Sequence, residues 1–424
     1  MHKAGRYRIA QLVKQTADLR RVRQPGSADQ RSGIATGKFC FGHLVIAAFP
    51  LLNYKEFLNV SVLEIPPRGI LAAVRPTSCR FAETRVDSRR RCKTTIQTTV
   101  METASTTPKS TDLKISVRQL RESELATADH ITRVAFGTFM GLADPASFMG
   151  DTAYVRTRWK ADPTSAFAAA TDDEIVGSNF AANWGTVGFF GPLTIRPDLW
   201  DQGVGRRLIE PVMDCFDRWR TRHAGLFTFA HSPKHLGLYQ KFGFFPRFLT
   251  ALLSKPVQAS GHALTWTNFS DASDGANGLL DACRNTTETV FEGLDTSREI
   301  QAVADQKLGD TVLLWSESNL SGFAVCHCGA GTEAGSGVCY VKFGVVRSGQ
   351  GAERDFNRLL YACEEFAAAQ GASRLVLGVN TARENAYRQV LARGFCADFL
   401  GVSMARPNQA GYNRPDVYLI DDWR

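Results

Sequence analysis

Two Gly-Phe pairs, Gly243-Phe244 and Gly394-Phe395, stand 151 residues apart in this 424-residue chain, and the same succession of patterns leads up to each. Before the first pair come a strand-like run at 187–195, an amphipathic run at 203–220, a second strand-like run at 225–231 and a short helical run at 234–242 that a glycine stops. Before the second come 337–346, 352–369, 374–379 and 383–393 in the same order. A repeat of this length is a duplicated α/β unit and not a short-period array. The chain is therefore expected to fold as an α/β protein with a mixed sheet, in two related domains at 113–257 and 263–424, joined by a linker near 258–262.

The remaining elements fit that plan. A strand is expected at 114–120 and a helix at 122–139, with Ala126, Ile131, Val134 and Ala135 spaced for one face. Runs 165–170 and 174–184 read as a hairpin around Asp172-Asp173, and 245–257 as the strand after the first Gly-Phe. Pro211 falls inside the 203–220 helix and is expected to kink or break it. In the second half, 278–291 and 296–306 read as helices, and 310–315 and 321–328 as strands.

Composition matters mainly for the first hundred residues. The net charge of +8 is uneven: residues 1–100 hold 18 Lys and Arg against 6 Asp and Glu, and the rest hold 32 against 36. Residues 1–112 also lack a sustained apolar period. They read as a basic, disordered or leader region, with three roles open: translated leader ahead of Met101, a mitochondrial-type presequence, or a nucleic-acid arm. The apolar run 39–52 contains Gly42, His43 and Pro50 and is too short for a bilayer span. The expected protein is soluble and cytoplasmic, or mitochondrial if residues 1–100 act as a presequence. The 10 cysteines form no disulfide framework. In Cys326-His327-Cys328, strand alternation sets both sulfurs on one face and the imidazole on the other. With only Cys339 nearby as a further ligand, these read as buried thiols, and no metal is expected.

The segment that carries chemistry is Leu193-Thr194-Ile195-Arg196-Pro197-Asp198-Leu199-Trp200-Asp201-Gln202-Gly203-Val204-Gly205-Arg206-Arg207-Leu208. A strand enters a turn and opens a helix through two close glycines. Several backbone N–H groups are thereby left unpaired at the positive end of a helix, a natural seat for pyrophosphate. No Gly-Lys-Ser/Thr follows, so this is no Walker loop, and the third glycine of a dinucleotide turn is absent.

Together with Leu238-Tyr239-Gln240-Lys241-Phe242-Gly243-Phe244, this segment resembles the signature of the GNAT superfamily, the acyl-CoA-dependent N-acetyltransferases. The resemblance covers 113–257, and 263–424 looks like a diverged copy. It implies acetyl-CoA as co-substrate and direct transfer of the acetyl group to a primary amine, on a small molecule or peptide. Leu193, Thr194 and Ile195 would offer backbone groups to the pantetheine. Gln202, Gly203, Val204, Gly205 and Arg206 would wrap the pyrophosphate. Tyr239 would protonate the departing thiolate, since a phenol is neutral at pH 7 and can donate.

Two positions depart from the family pattern. Trp200 stands where Arg or Gln is usual, which shifts the phosphate contact to Arg206 or Arg207. Ser232 stands where an Asn often precedes the tyrosine helix, and it still serves as a helix cap near the cofactor. His231 is the candidate general base by topology, while Asp173 and Glu174 lie in a turn and read as solvated. In the second half, Glu353 adds negative charge at the turn, and Val390 occupies the position of Tyr239, so that copy is expected to be catalytically silent. Loops 141–151 and 329–337 would set the acceptor. The competing readings are a non-catalytic acyl-CoA-binding or scaffold protein and a transferase using another acyl donor; Phe189 and Phe190 would favour a short donor. Oligomeric state is not legible.

Overall fold

The computed structural model describes residues 114–172, 174–258, 265–271 and 275–424. The expectations for 1–112, Asp173 and the 259–262 part of the linker lie outside the described residues.

The first half contributes β1 (Ile115–Gln119), α1 (Leu125–Phe139), α2 (Tyr154–Ala161), β2 (Ala166–Thr171), β3 (Glu174–Trp184), β4 (Val187–Phe190), β5 (Thr194–Ile195), α3 (Val204–Arg218), β6 (His223–Thr228), α4 (Pro233–Gln240) and β7 (Phe245–Pro256). The second contributes β8 (Trp266–Asn268), α5 (Ala276–Glu288), α6 (Ser297–Gln306), β9 (Gly309–Ser316), β10 (Asn319–Gly329), β11 (Gly335–Val346), α7 (Ala352–Ala369), β12 (Arg374–Asn380), α8 (Glu384–Ala392), β13 (Cys396–Arg406) and β14 (Leu419–Ile420). Among the described residues no helix is long and apolar enough to cross a membrane.

Two local expectations need correction. The run 187–195 is not one strand: β4 and β5 are separated by Gly191, Pro192 and Leu193, three residues set against Phe180 and Asn179 of β3, with Gly191 N–H bonded to the Phe180 carbonyl at 2.8 Å. Nor does Pro211 break α3, which is one helix from Val204 to Arg218. The proline removes only the donor to the Arg207 carbonyl, and Arg207 lies on the exposed face where water can replace it.

The sheet runs β1-β2-β3-β4-β6-β13-β7-β12-β11-β10-β9-β8. Its centre is an exchange. The last long strand of the second half, β13, lies between β6 and β7 of the first, and β7 lies between β13 and β12. Thus neither half closes its own sheet. A buried hydrogen bond between the Thr250 and Ser403 hydroxyls at 2.7 Å crosses the seam. Gly401 lacks a Cβ because the Phe227 ring occupies that space.

Each half also splits between a parallel strand pair, but only one split stays open. In the first, β4 leaves β6 after Phe189 and Gly225. In the second, β11 pairs with β12 from Val338 to Val341, and beyond that β14 joins β11 at Gly344 and Val345. Leu419 and Ile420 are fully buried in that wedge, and Gly378 of β12 makes room for Asp422.

Because the exchanged strands tie both halves into one hydrogen-bonded sheet, calorimetry of the full chain should show residues 114–424 melting in a single transition, where separable domains would give two. Gly401→Ala should lower stability by about 1–3 kcal/mol through overpacking against Phe227, read as a lower midpoint in urea.

Candidate active site

The open split leads into a cavity of about 500 Å³. On one side lie Phe190, Gly191, Pro192 and Leu193; on the other lie Leu226 to Phe229 of β6, whose far edge is taken by β13. Between them the sheet has no strand, so backbone groups of both walls face the gap. β5 is anchored on its outer side to β3, and the Thr194 hydroxyl bonds Thr132 at 3.1 Å and Ser178 at 3.4 Å, buried below the surface.

Tyr239 closes one end. It is 8% exposed, lines the cavity, and meets the Phe190 ring edge-on at 5.8 Å. Burial pushes its phenol well above the ordinary range, opposed by a hydrogen bond with Thr228, so it stays protonated across neutral pH. Its helix starts as the sequence implied: Ser232 caps α4, accepting from the His235 N–H at 3.4 Å, with Pro233 next.

The structure separates the two histidines of this region. His231 is exposed, lies against Phe139 and Phe229 with ring centroids 5.9 and 5.8 Å away, and does not line the cavity, because the chain has already left β6. His235, one helical turn before Tyr239 on α4, does line it. Its Nδ1 is buried without a protein partner, and burial, aided by Lys234 and His231, lowers its pKa. The sequence signal was the four-residue spacing to Tyr239, which puts both side chains on one helix face.

The glycine turn sits outside the cavity. Gly203 caps α3 with φ of 78°, a left-handed conformation that a Cβ would strain, and no side chain caps the helix. Gly205 packs so closely that an added Cβ would lie 3.1 Å from Ile195 and 3.4 Å from Leu238. Gln202 and Arg206 are exposed, with Gln202 bonded to the Asp198 carbonyl at 3.2 Å and Arg206 3.5 Å from Glu210, while Val204 is buried. Trp200 donates its indole N–H to the Ile195 carbonyl at 2.9 Å. Lys234, from the start of α4, lies over the Trp200 ring and pairs with Asp201 at 2.8 Å. A cation that motif matching did not nominate thus stands beside the turn.

The second half supplies the opposite wall. Loops 141–151 and 329–337, singled out in the sequence for the acceptor, are joined: Asp151 accepts from Ser336 N–H at 2.9 Å and from its hydroxyl, and Ala153 N–H bonds the Thr332 carbonyl at 2.9 Å. Behind them is a buried ionic cluster. Arg158 of α2 pairs with Glu333 at 3.0 Å and donates to the Gly191 carbonyl at 2.6 Å and to the Arg424 main-chain oxygen. Lys342 bridges Glu333 at 3.0 Å and Glu299 at 2.8 Å. Burial alone would raise both carboxyls; Arg158 and Lys342 instead hold Glu333 well below the usual range, and Lys342 brings Glu299 down to about 2. His327 faces this cluster, 3.8 Å from Glu299, whereas Cys326 and Cys328 pack in the hydrophobic core on the other face, as strand alternation required. Among the described residues no group of three or more His, Cys, Asp or Glu side chains is placed to hold a metal ion.

Residues 138–244 match the Acetyltransferase (GNAT) family model. Among solved structures, the chain resembles a candidate acetyltransferase from Pyrococcus horikoshii, with 13% identity, 73% of this chain and 95% of that chain covered, and a TM-score of 0.54. A GCN5-related N-acetyltransferase from Sphaerobacter thermophilus is 15% identical over 69% of this chain and 95% of that one, with a TM-score of 0.46. Comparison with the curated proteins finds no match. Residues 138–244 are thus a GNAT acetyltransferase segment, and the fold around them resembles that of the Pyrococcus horikoshii protein.

Both buried carboxylates have folded pKa values below their unfolded ones, so their stabilisation is complete above about pH 4.5 and is lost as pH falls toward 2. Thermal scans should show the midpoint dropping steeply through that window. Glu299→Gln should flatten the drop, and Glu333→Gln should cost about 3–5 kcal/mol at pH 7 by leaving Arg158 and Lys342 undercompensated.

Proposed function

We propose that the protein is an acetyl-CoA-dependent N-acetyltransferase with one working site per chain. The observation that carries this reading is the open split between β4–β5 and β6, with Tyr239 at its inner end and the uncapped start of α3 outside. Pantetheine lies along the backbone of Leu193, Thr194 and Ile195. The pyrophosphate rests on the N–H groups of Gln202, Gly203, Val204, Gly205 and Arg206, with Ser232 nearby and Lys234 and Arg207 supplying charge in place of the usual Arg or Gln at Trp200. Phe190, beside Tyr239, favours a short acyl group.

The free amine attacks the thioester carbonyl, whose oxygen takes the developing charge and is held by a backbone N–H of the 191–195 wall. Collapse of the adduct breaks the carbon–sulfur bond, and the Tyr239 hydroxyl protonates the leaving thiolate. For the base we propose His235 in place of His231. It faces the cavity, and its lowered pKa keeps it neutral and able to accept the amine proton near pH 7.

Among the described residues the second half offers no comparable slot. β14 fills its split, Glu353 and Asp355 stand in the first turn of α7, and buried Val390 cannot donate a proton. Its role is to supply the exchanged strand and one cavity wall.

Titration of desulfo-CoA into the full chain should give one site per chain, lost in Gly203→Glu; binding at two sites, or none, would overturn the single-site reading. Tyr239→Phe should cut kcat by about 10²–10⁴ with KM for acetyl-CoA little changed. His235→Gln should remove the acidic limb of the kcat/KM profile, which in the parent lies below the ordinary histidine range because burial lowers that pKa; a limb that survives would return the role to another group. Binding without any transfer would leave a non-catalytic acyl-CoA-binding protein.

A further inference from the structure

Resting on the acyl-transfer reading of the same cavity, we propose that the accepted amine is a monoamine carried on a flat apolar body, an aryl-alkylamine in chemical class, and that Phe399 of the second half selects it. Five phenylalanine rings form a continuous wall. Phe148 stacks on Phe136 at 5.6 Å, Phe136 meets Phe229 at 6.1 Å, Phe229 meets Phe399 edge-on at 5.7 Å, and Phe399 meets Phe227 at 6.1 Å. All five line the cavity or border it, and none is fully buried. Rings that only filled a core would be enclosed; these keep a face toward the space where the acceptor must lie.

The wall depends on a register fault. The pairing of β13 with β7 slips between Ala397 and Phe399, so that Asp398 is an extra residue and both Asp398 and Phe399 reach the cavity. A bulge of this kind re-aims side chains where alternation would send one of them away. The exchanged strand thus carries a specificity element into a site whose acyl-transfer residues belong to the first half.

Charge argues in the same direction. The carboxylates lining the cavity are Glu333, paired with Arg158 and Lys342, and Asp398, paired with Arg374 at 2.5 Å. Arg424, the other lining arginine, pairs with Asp422 at 3.3 Å. A polyamine or amino sugar would need carboxylates already committed to these partners, and an amino acid would need an arginine that is equally committed. A body with one amine and one aromatic face asks for neither. With no spare carboxylate to hold an ammonium, the amine reacts in its neutral form.

The test uses the full chain and two readouts. Release of CoA from acetyl-CoA is measured with 2-phenylethylamine, tryptamine, spermidine and glycinamide, and binding of tryptamine to the CoA-loaded protein is measured by calorimetry. The aryl-alkylamines should exceed spermidine in kcat/KM by at least about tenfold. Phe399→Ala should raise KM for tryptamine by about tenfold, Phe399→Leu by less, with desulfo-CoA affinity unchanged in both. Faster turnover of spermidine or glycinamide, or equal loss on all amines in Phe399→Ala, overturns the proposal and leaves acyl transfer standing. Tryptamine binding that Phe399→Ala weakens, without transfer to any amine, upholds the ligand class and overturns acyl transfer. Neither binding nor transfer overturns both.

Discussion

The exchange of β7 and β13 is the constraint on which the rest of this molecule depends. Neither half has a complete sheet without the strand the other lends, and unpaired strand edges in a sheet centre cost too much to leave open. Once the strands are exchanged, the cavity of the first half is lined by residues from both halves. The active geometry is then a property of the pair.

Burial between α2, α6 and β11 is unusual in kind. Arg158, Glu333, Lys342 and Glu299 bring charge into the interior, where each ion alone would be strongly disfavoured. Mutual pairing makes them tolerable and also directional, since a guanidinium fork accepts few arrangements. Arg158 uses its remaining donors on the Gly191 carbonyl, at the point where β4 departs from β6. The width of the slot is therefore tied to a glutamate from the second half.

The two halves treat their parallel strand pairs in opposite ways. In the first, the wedge between parallel strands stays open and is lined by backbone. In the second, Leu419 and Ile420 fill it, and the chain continues until Trp423 and Arg424 reach the first half's cavity. Packing an apolar strand into the second cleft removes exposed backbone and adds core, so that half gains stability from closing it.

Strong local patterns were readable directly from residue order. The glycine stops after α4 and α8, the apolar face of α3 and the uncapped turn at Gly203 each express a short-range rule, and all appear within a residue or two of expectation. Helix α2 escaped because two of its four buried residues, Thr157 and Arg158, are polar and leave no apolar stripe to detect. β13 escaped because most of residues 396–400 are exposed and a bulge breaks their alternation. The sequence by itself determined the recurring order of strands and helices, the glycine-led start of α3 and the place of Tyr239 on a glycine-stopped helix, since each follows from neighbours along the chain. Only the tertiary structure decided which histidine faces the cavity, which half keeps an open slot and which aromatic rings line it. Those choices rest on contacts between residues more than a hundred positions apart, and no local periodicity encodes them.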